Sequence, residues 1–132
     1  VIGLDTNILV RYLTMDDPIL SPKAARFIER DLSAENPGFV SVVTMAEIAW
    51  VLDRSYSFSK REIAYGIERI LSADTLVIEH ERDVFAAMRL LQRGLADFSD
   101  ALIGGLARRA GCAHTVTFDR KASRLPGFAL LP

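Results

Sequence analysis

Val1-Ile2-Gly3-Leu4-Asp5-Thr6-Asn7 is the stretch on which the fold turns. Its first four residues can lie in a buried strand, and the chain runs from them into an aspartate and then an amphipathic run over residues 8–13. A carboxylate therefore stands at the C-terminal end of a strand. In open α/β sheets ligands bind at that edge, so Asp5 is the first candidate for chemistry.

Working outward, apolar strand-like runs and helical periodicities alternate to the end of the chain. Residues 8–13 form a short helix that stops before the turn cluster Asp16-Asp17-Pro18, whose two acids read as solvated turn residues. Ser21-Pro22 is an N-cap followed by proline at the first helical position. Asn36-Pro37-Gly38 ends that helix, and residues 39–43 form a second strand, short and apolar as a buried parallel strand is. Thr44 opens a helix through Ile48, Ala49, Trp50, Val51 and Leu52, apolar nearly all round and so expected to be covered on two sides.

Ser59-Lys60-Arg61-Glu62 has capping-box spacing and starts a helix striped with Ile63, Ile67, Ile70 and Leu71, with Tyr65 off the stripe. Residues 76–78 make a third strand. Helices follow from Glu81 to near Gly94 and from Asp97 or Asp100 to Gly111, then a fourth strand over residues 115–118 ending at Asp119, and a fifth over residues 127–131. No hairpin turn joins any two strands. A parallel, three-layered α/β fold follows, one domain over residues 1–132.

Composition narrows the class. Half of the 132 residues are hydrophobic and a quarter charged, with mean hydropathy +0.20, which fits a well-cored protein with apolar surface to spare for a partner. A net charge of -1 removes whole-chain attraction to nucleic acid and leaves only local basic clusters. The single cysteine, Cys112, has no partner for an internal disulfide and reads as a small buried hydrophobe, and with only two histidines a structural zinc site is not expected. No apolar run is long enough to span a membrane, and the first ten residues lack the pattern of a secretory leader. These features place the chain in a reducing cytoplasm.

A parallel sheet puts the ends of the first, second and fourth strands on one edge. Asp5 and Asp119 directly follow their strands, and Glu47 lies one turn into the helix after the second. Asp100 begins the helix that precedes the fourth. Each has a structural reading: Thr44-Met45-Ala46-Glu47 has capping-box spacing, Asp97 can cap a helix with Asp100 at its third position, and Asp119 can be a turn acid. The set carries more weight than its members. Carboxylates brought within ~4 Å of one another repel by about 4 kcal/mol per pair at an effective dielectric of 20, so an enclosed cluster calls for a cation. Oxygen ligands without histidine or cysteine favour Mg²⁺ or Mn²⁺, and such a site suits phosphodiester hydrolysis.

Asp5-Thr6-Asn7 after a strand, Ser41 and Thr44 ahead of Glu47, residues 97–103 reading Asp-Phe-Ser-Asp-Ala-Leu-Ile, and Thr117-Phe118-Asp119 together resemble the PIN-domain ribonucleases, most closely the VapC-type toxins of toxin-antitoxin pairs. The resemblance spans essentially the whole chain. It implies a five-stranded parallel sheet flanked by helices and an acidic pocket for Mg²⁺ or Mn²⁺ built from Asp5, Glu47, Asp100 and Asp119, with Asp5 and Asp100 as principal metal ligands. It assigns supporting roles to Asp97, Thr6, Asn7 and Thr117. The activity implied is metal-dependent endoribonucleolytic cleavage.

Arg11, Arg120, Lys121 and Arg124 are placed to contact RNA phosphates. The apolar excess at Ile48, Ala49, Trp50, Val51 and Leu52 and at Tyr65 suggests a groove for an amphipathic segment, for which the resemblance supplies an antitoxin, and it implies a homodimer as well. Two other classes compete. A receiver-like phosphoacceptor needs an acidic pair at the first strand and a lysine after the fifth, which are absent. A catalytically silent scaffold is disfavoured by the four intact acids.

Overall fold

The computed structural model, which describes residues 1–132, alternates strands and helices as the sequence predicts. In order they are β1 (Ile2–Gly3), α1 (Thr6–Thr14), α2 (Leu20–Arg26, continued by a π-helical turn, Phe27–Asp31), β2 (Gly38–Val40), α3 (Val42–Arg54), α4 (Lys60–Leu71), β3 (Leu76–Ile78), α5 (Glu81–Gln92), α6 (Phe98–Arg109), β4 (Thr115–Thr117), a 3-10 turn (Ala122–Arg124) and β5 (Phe128–Leu130). All strand pairs are parallel. Parallel neighbours cannot be joined by a hairpin, so each link between them passes through helical structure.

The strands do not form one five-stranded sheet. They form a three-stranded sheet in the order β1-β2-β3 and a separate pair, β4-β5. The reason lies in β1. Ile2 N–H donates to Pro37 O at 3.0 Å and Leu4 N–H to Phe39 O at 2.9 Å, so these two residues spend their main-chain groups on β2. Alternation leaves Gly3 alone facing the free edge before the chain turns into α1, too little for a ladder with β4.

Nor is the sheet covered on both faces. Leu4, Val40, Leu76 and Ile78 are buried in a core of 25 residues with the helices, Leu9, Met45, Ile48, Leu52, Ile67 and Met88 among them. Gly3, Phe39 and Val77 are in register on the other face, where Gly3 and Val77 are exposed and Phe39 is half-buried. Helix α3 is likewise covered on one side only: Met45, Ile48, Ala49 and Leu52 are buried, but Val43 and Trp50 face solvent.

Three helix starts illustrate how local chemistry sets boundaries. Ser59 and Glu62 form the predicted reciprocal capping box of α4. Helix α3 begins earlier than Thr44, because Ser41 is the N-cap and its Oγ accepts the Thr44 N–H at 3.1 Å. Helix α2 begins at Leu20 rather than after Ser21. Asp17 accepts the N–H groups of Ile19 (2.9 Å) and Leu20 (2.7 Å), so the Asp17 carboxylate does the capping expected of Ser21, whose side chain is buried. Pro22 then sits in the first turn, where a missing N–H costs nothing. Cys112 is exposed rather than buried, since it follows Gly111, at φ 90°, in the surface turn after α6.

Gly104 lets α6 pack closely on β5, but Gly105 is not needed for its packing on α5. A Cβ at Gly104 would overlap the Phe128 ring of β5, whereas one at Gly105 would meet Asp83 of α5 at an ordinary 3.5 Å. Two substitutions should therefore move stability in opposite directions. Gly104→Val overpacks the seat of β5 and costs about 1–3 kcal/mol. Gly105→Ala gains up to about 1 kcal/mol of helix propensity. Urea unfolding of the two variants measures both.

Candidate functional site

Asp5 is the N-cap of α1, and its Oδ1 accepts the Thr6 N–H at 2.7 Å. Thr6 is buried and its hydroxyl donates across to Oε1 of Glu47 on α3. One residue thus ties both carboxylates, and each keeps a second oxygen with no partner in the chain. Because Ser41 caps α3, Glu47 is not in a capping box with Thr44. Its capping-box reading falls, and its carboxylate faces Thr6 and the recess beside Asp5.

Asp100 stands in the first turn of α6, half-buried. Asp97 occupies the cap position, but its side chain makes no capping bond and lies 3.7 Å from Nζ of Lys60 instead. Burial, and then the negative charges of Asp97 and Asp119, hold the Asp100 carboxyl above the usual carboxylate range, with Lys121 opposing. No N–H or O–H of the chain donates to it. Asp119 does serve as a turn acid: its Oδ1 accepts the N–H groups of Lys121 (2.8 Å) and Ala122 (3.3 Å), while its own N–H donates to Thr117 Oγ1 at 3.0 Å. Thr117 therefore holds the Asp119 turn.

Asp5 and Glu47 face a recess of about 520 Å³ between α1 and α3, which Asn7 also lines. Asp97 and Asp100 face a second of about 260 Å³, and Asp119 approaches Asp100 from beyond β4. Helix α3 lines both recesses: Glu47, Val51 and Ser55 face the first, and Ala49, Trp50, Asp53 and Arg54 the second, the Arg54 guanidinium 5.8 Å from the Trp50 ring. No three acidic, histidine or cysteine side chains converge at metal-ligating distance.

A second cluster, which the sequence did not reveal, closes the far end of the first recess. Asp16 accepts from Arg11 Nη1 at 3.0 and 3.1 Å and from the Tyr56 hydroxyl at 2.7 Å, with the Thr14 hydroxyl 2.8 Å away. Asp16, exposed as the sequence suggests, is also a hub that joins the end of α1 to the turn after α3 across forty positions. Its pKa is lowered from 3.8 to about 2 by the Tyr56 hydroxyl first, then Thr14 and Arg11. A depressed carboxylate pKa contributes stability that is present above the unfolded value and lost as pH falls through the folded one. Asp16→Asn should therefore be less stable than the native chain at neutral pH, with the difference closing between pH 3.8 and about 2. Thermal melts across that range test it.

Arg120, Lys121 and Arg124 are exposed beyond Asp119, and none has a carboxylate within ion-pair distance. The predicted groove is narrower than the sequence suggests. Ile48, Ala49 and Leu52 belong to the core, leaving Trp50 (57% exposed) and Tyr65 (66%) as surface aromatics. No helix is long and apolar enough to cross a membrane.

The model of the PIN domain family matches residues 2–127 of this chain. The chain belongs to the PIN domain family. Among curated proteins it is similar to a VapC ribonuclease of Aquifex aeolicus (strain VF5), 24% identical over 122 residues that cover 92% of this chain and 90% of that protein.

Proposed function

We infer that the chain is a metal-dependent endoribonuclease acting as the toxin of a toxin-antitoxin pair. The observation that carries this is Asp100: a half-buried carboxylate with no donor from its own chain, beside two further acids. Such a group is stabilised by a cation from outside. The donor chemistry fits one, because Asp5 and Glu47 each present an unpartnered oxygen and Asp100 presents two. Asp5 and Asp100 are the ligands we assign to Mg²⁺ or Mn²⁺, with Glu47 and Asp119 completing the pocket directly or through water. When bound, the ion offsets charge developing on phosphorus and lowers the pKa of a water.

The chain's own groups do the positioning. Thr6 fixes Asp5 and Glu47 relative to each other, and Thr117 fixes the turn that carries Asp119. Asn7 lines the recess beside them, and Asp97 adds negative charge next to Asp100. Glu47 and Asp119 orient the water whose oxygen attacks phosphorus as the bond to the leaving ribose oxygen breaks. Arg120, Lys121 and Arg124 are free to engage flanking phosphates. Trp50 and Tyr65 offer surface for an antitoxin segment, and a homodimer is the assembly we propose.

The relative's printed activity and the family membership support this reading. The test is incubation of the purified chain with a panel of RNAs in Mg²⁺, in Mn²⁺ and in chelator. Internal cleavage that requires either ion is the expected result. Intact RNA under all three conditions overturns the proposal.

A further inference from the structure

The recess between α1 and α3 has two unlike ends, and the one away from the acids is built to read a base. The structure assigns to Arg11, buttressed by Asp16, the selection of guanine in the RNA strand next to the cleaved bond; this rests on the ribonuclease reading above. Arg11 uses only Nη1 on Asp16. Its Nε and Nη2 have no partner in the chain, and together they are the two-donor edge of the guanidinium that fits two adjacent acceptors.

Charge decides between a phosphate and a base at this position. The Arg11 charge is cancelled by Asp16, and Asp5 and Glu47 line the same recess. With its charge already neutralised by Asp16, the guanidinium offers a phosphate little net attraction, whereas a neutral base needs only its free donors. Arg11 is thereby changed from the phosphate contact its position in the sequence suggests into a hydrogen-bond donor. Guanine offers O6 and N7 as neighbouring acceptors, and in single-stranded RNA that edge is open. Adenine has a donor in place of O6.

The remaining walls suit a base. Tyr56 lines the recess, and its hydroxyl is pinned by Asp16, so its ring is held for stacking. From Glu47 to Ser55 the recess runs along α3 for roughly 12 Å at the helical rise, enough to separate a phosphate at the acids from a base at Arg11. Its volume, about 520 Å³, lies in the range of small-ligand sites.

The experiment has two arms. In the first, the ends produced from a randomised RNA library are sequenced, and the preferred RNA is then made with 7-deazaguanine, which lacks N7. The native chain should show guanine at a fixed position beside the cut, and kcat/KM should fall about 10-fold or more on 7-deaza substitution. Arg11→Gln should still cleave, lose the guanine preference and be insensitive to 7-deaza substitution. Asp16→Asn should weaken the preference. In the second arm, guanosine and adenosine monophosphates are titrated in chelator and followed by NMR, so that no cleavage is needed. Guanosine monophosphate should perturb α1 more strongly, and Arg11→Gln should abolish the difference.

Cleavage with no guanine preference, or a preference unchanged in Arg11→Gln, overturns the inference and leaves the nuclease reading intact. Absence of cleavage with Arg11-dependent discrimination of the two nucleotides overturns the nuclease reading and supports the base site. Absence of both overturns both.

Discussion

Asp100→Asn should lower RNA cleavage by about 10²–10³-fold while leaving the fold as stable as before or slightly more so. The two halves of that expectation have one cause. Burial and the charges of Asp97 and Asp119 all disfavour the ionised Asp100, so a neutral isostere relieves repulsion that folding otherwise has to overcome. A residue retained against its own stability cost marks a site given over to function. Asp5→Asn should lose activity to a similar degree with the helix cap preserved, because an asparagine Oδ1 can still accept the Thr6 N–H. If the two acids act as a unit, the double variant is scarcely worse than either single one. Single-turnover cleavage with urea unfolding of the same preparations decides the matter. Full activity in either variant overturns the assignment of that acid.

Leu52→Ala should be the most destabilising of the substitutions considered, costing about 2–5 kcal/mol. Leu52 is completely buried on α3, and one of its methyls lies 3.6 Å from where a Cβ on Gly66 of α4 would be. Truncation leaves a cavity between two helices whose approach is already set by a glycine, so α4 has little freedom to collapse into it. Against a total stability of roughly 5–15 kcal/mol this is a large share. The denaturation midpoint should fall with the slope unchanged. Activity per folded molecule should fall little, since Leu52 touches neither recess.

The alternation of strands and helices, the parallel pairing and the positions of the four acids were legible because each is a local or periodic property. An aspartate between a strand and a helical run needs only the first seven residues to be read, whereas its capping of the helix is seen only in the structure. The junction between β2 and α3 was less legible, because Ser41 and Thr44 are both competent caps and the choice between them is worth only about 1 kcal/mol. It was settled by where β2 stops pairing, at Val40 opposite Ile78. The separate β4-β5 pair depends on one uncommitted residue, Gly3, on a two-residue strand. The Asp16 cluster was not legible at all, since Tyr56 reaches it from forty residues away and no pattern links the two.

Thr6 separates what this protein can vary from what it must keep. The relative placement of Asp5 and Glu47 comes from one backbone amide and one hydroxyl of a single buried residue. The other forty residues between them, with all of α1's exposed face and the whole of α2, are free of that duty. Under the function proposed above, substitutions there reshape the far end of the recess, and with it the choice of RNA, while the acid pair stays where it is.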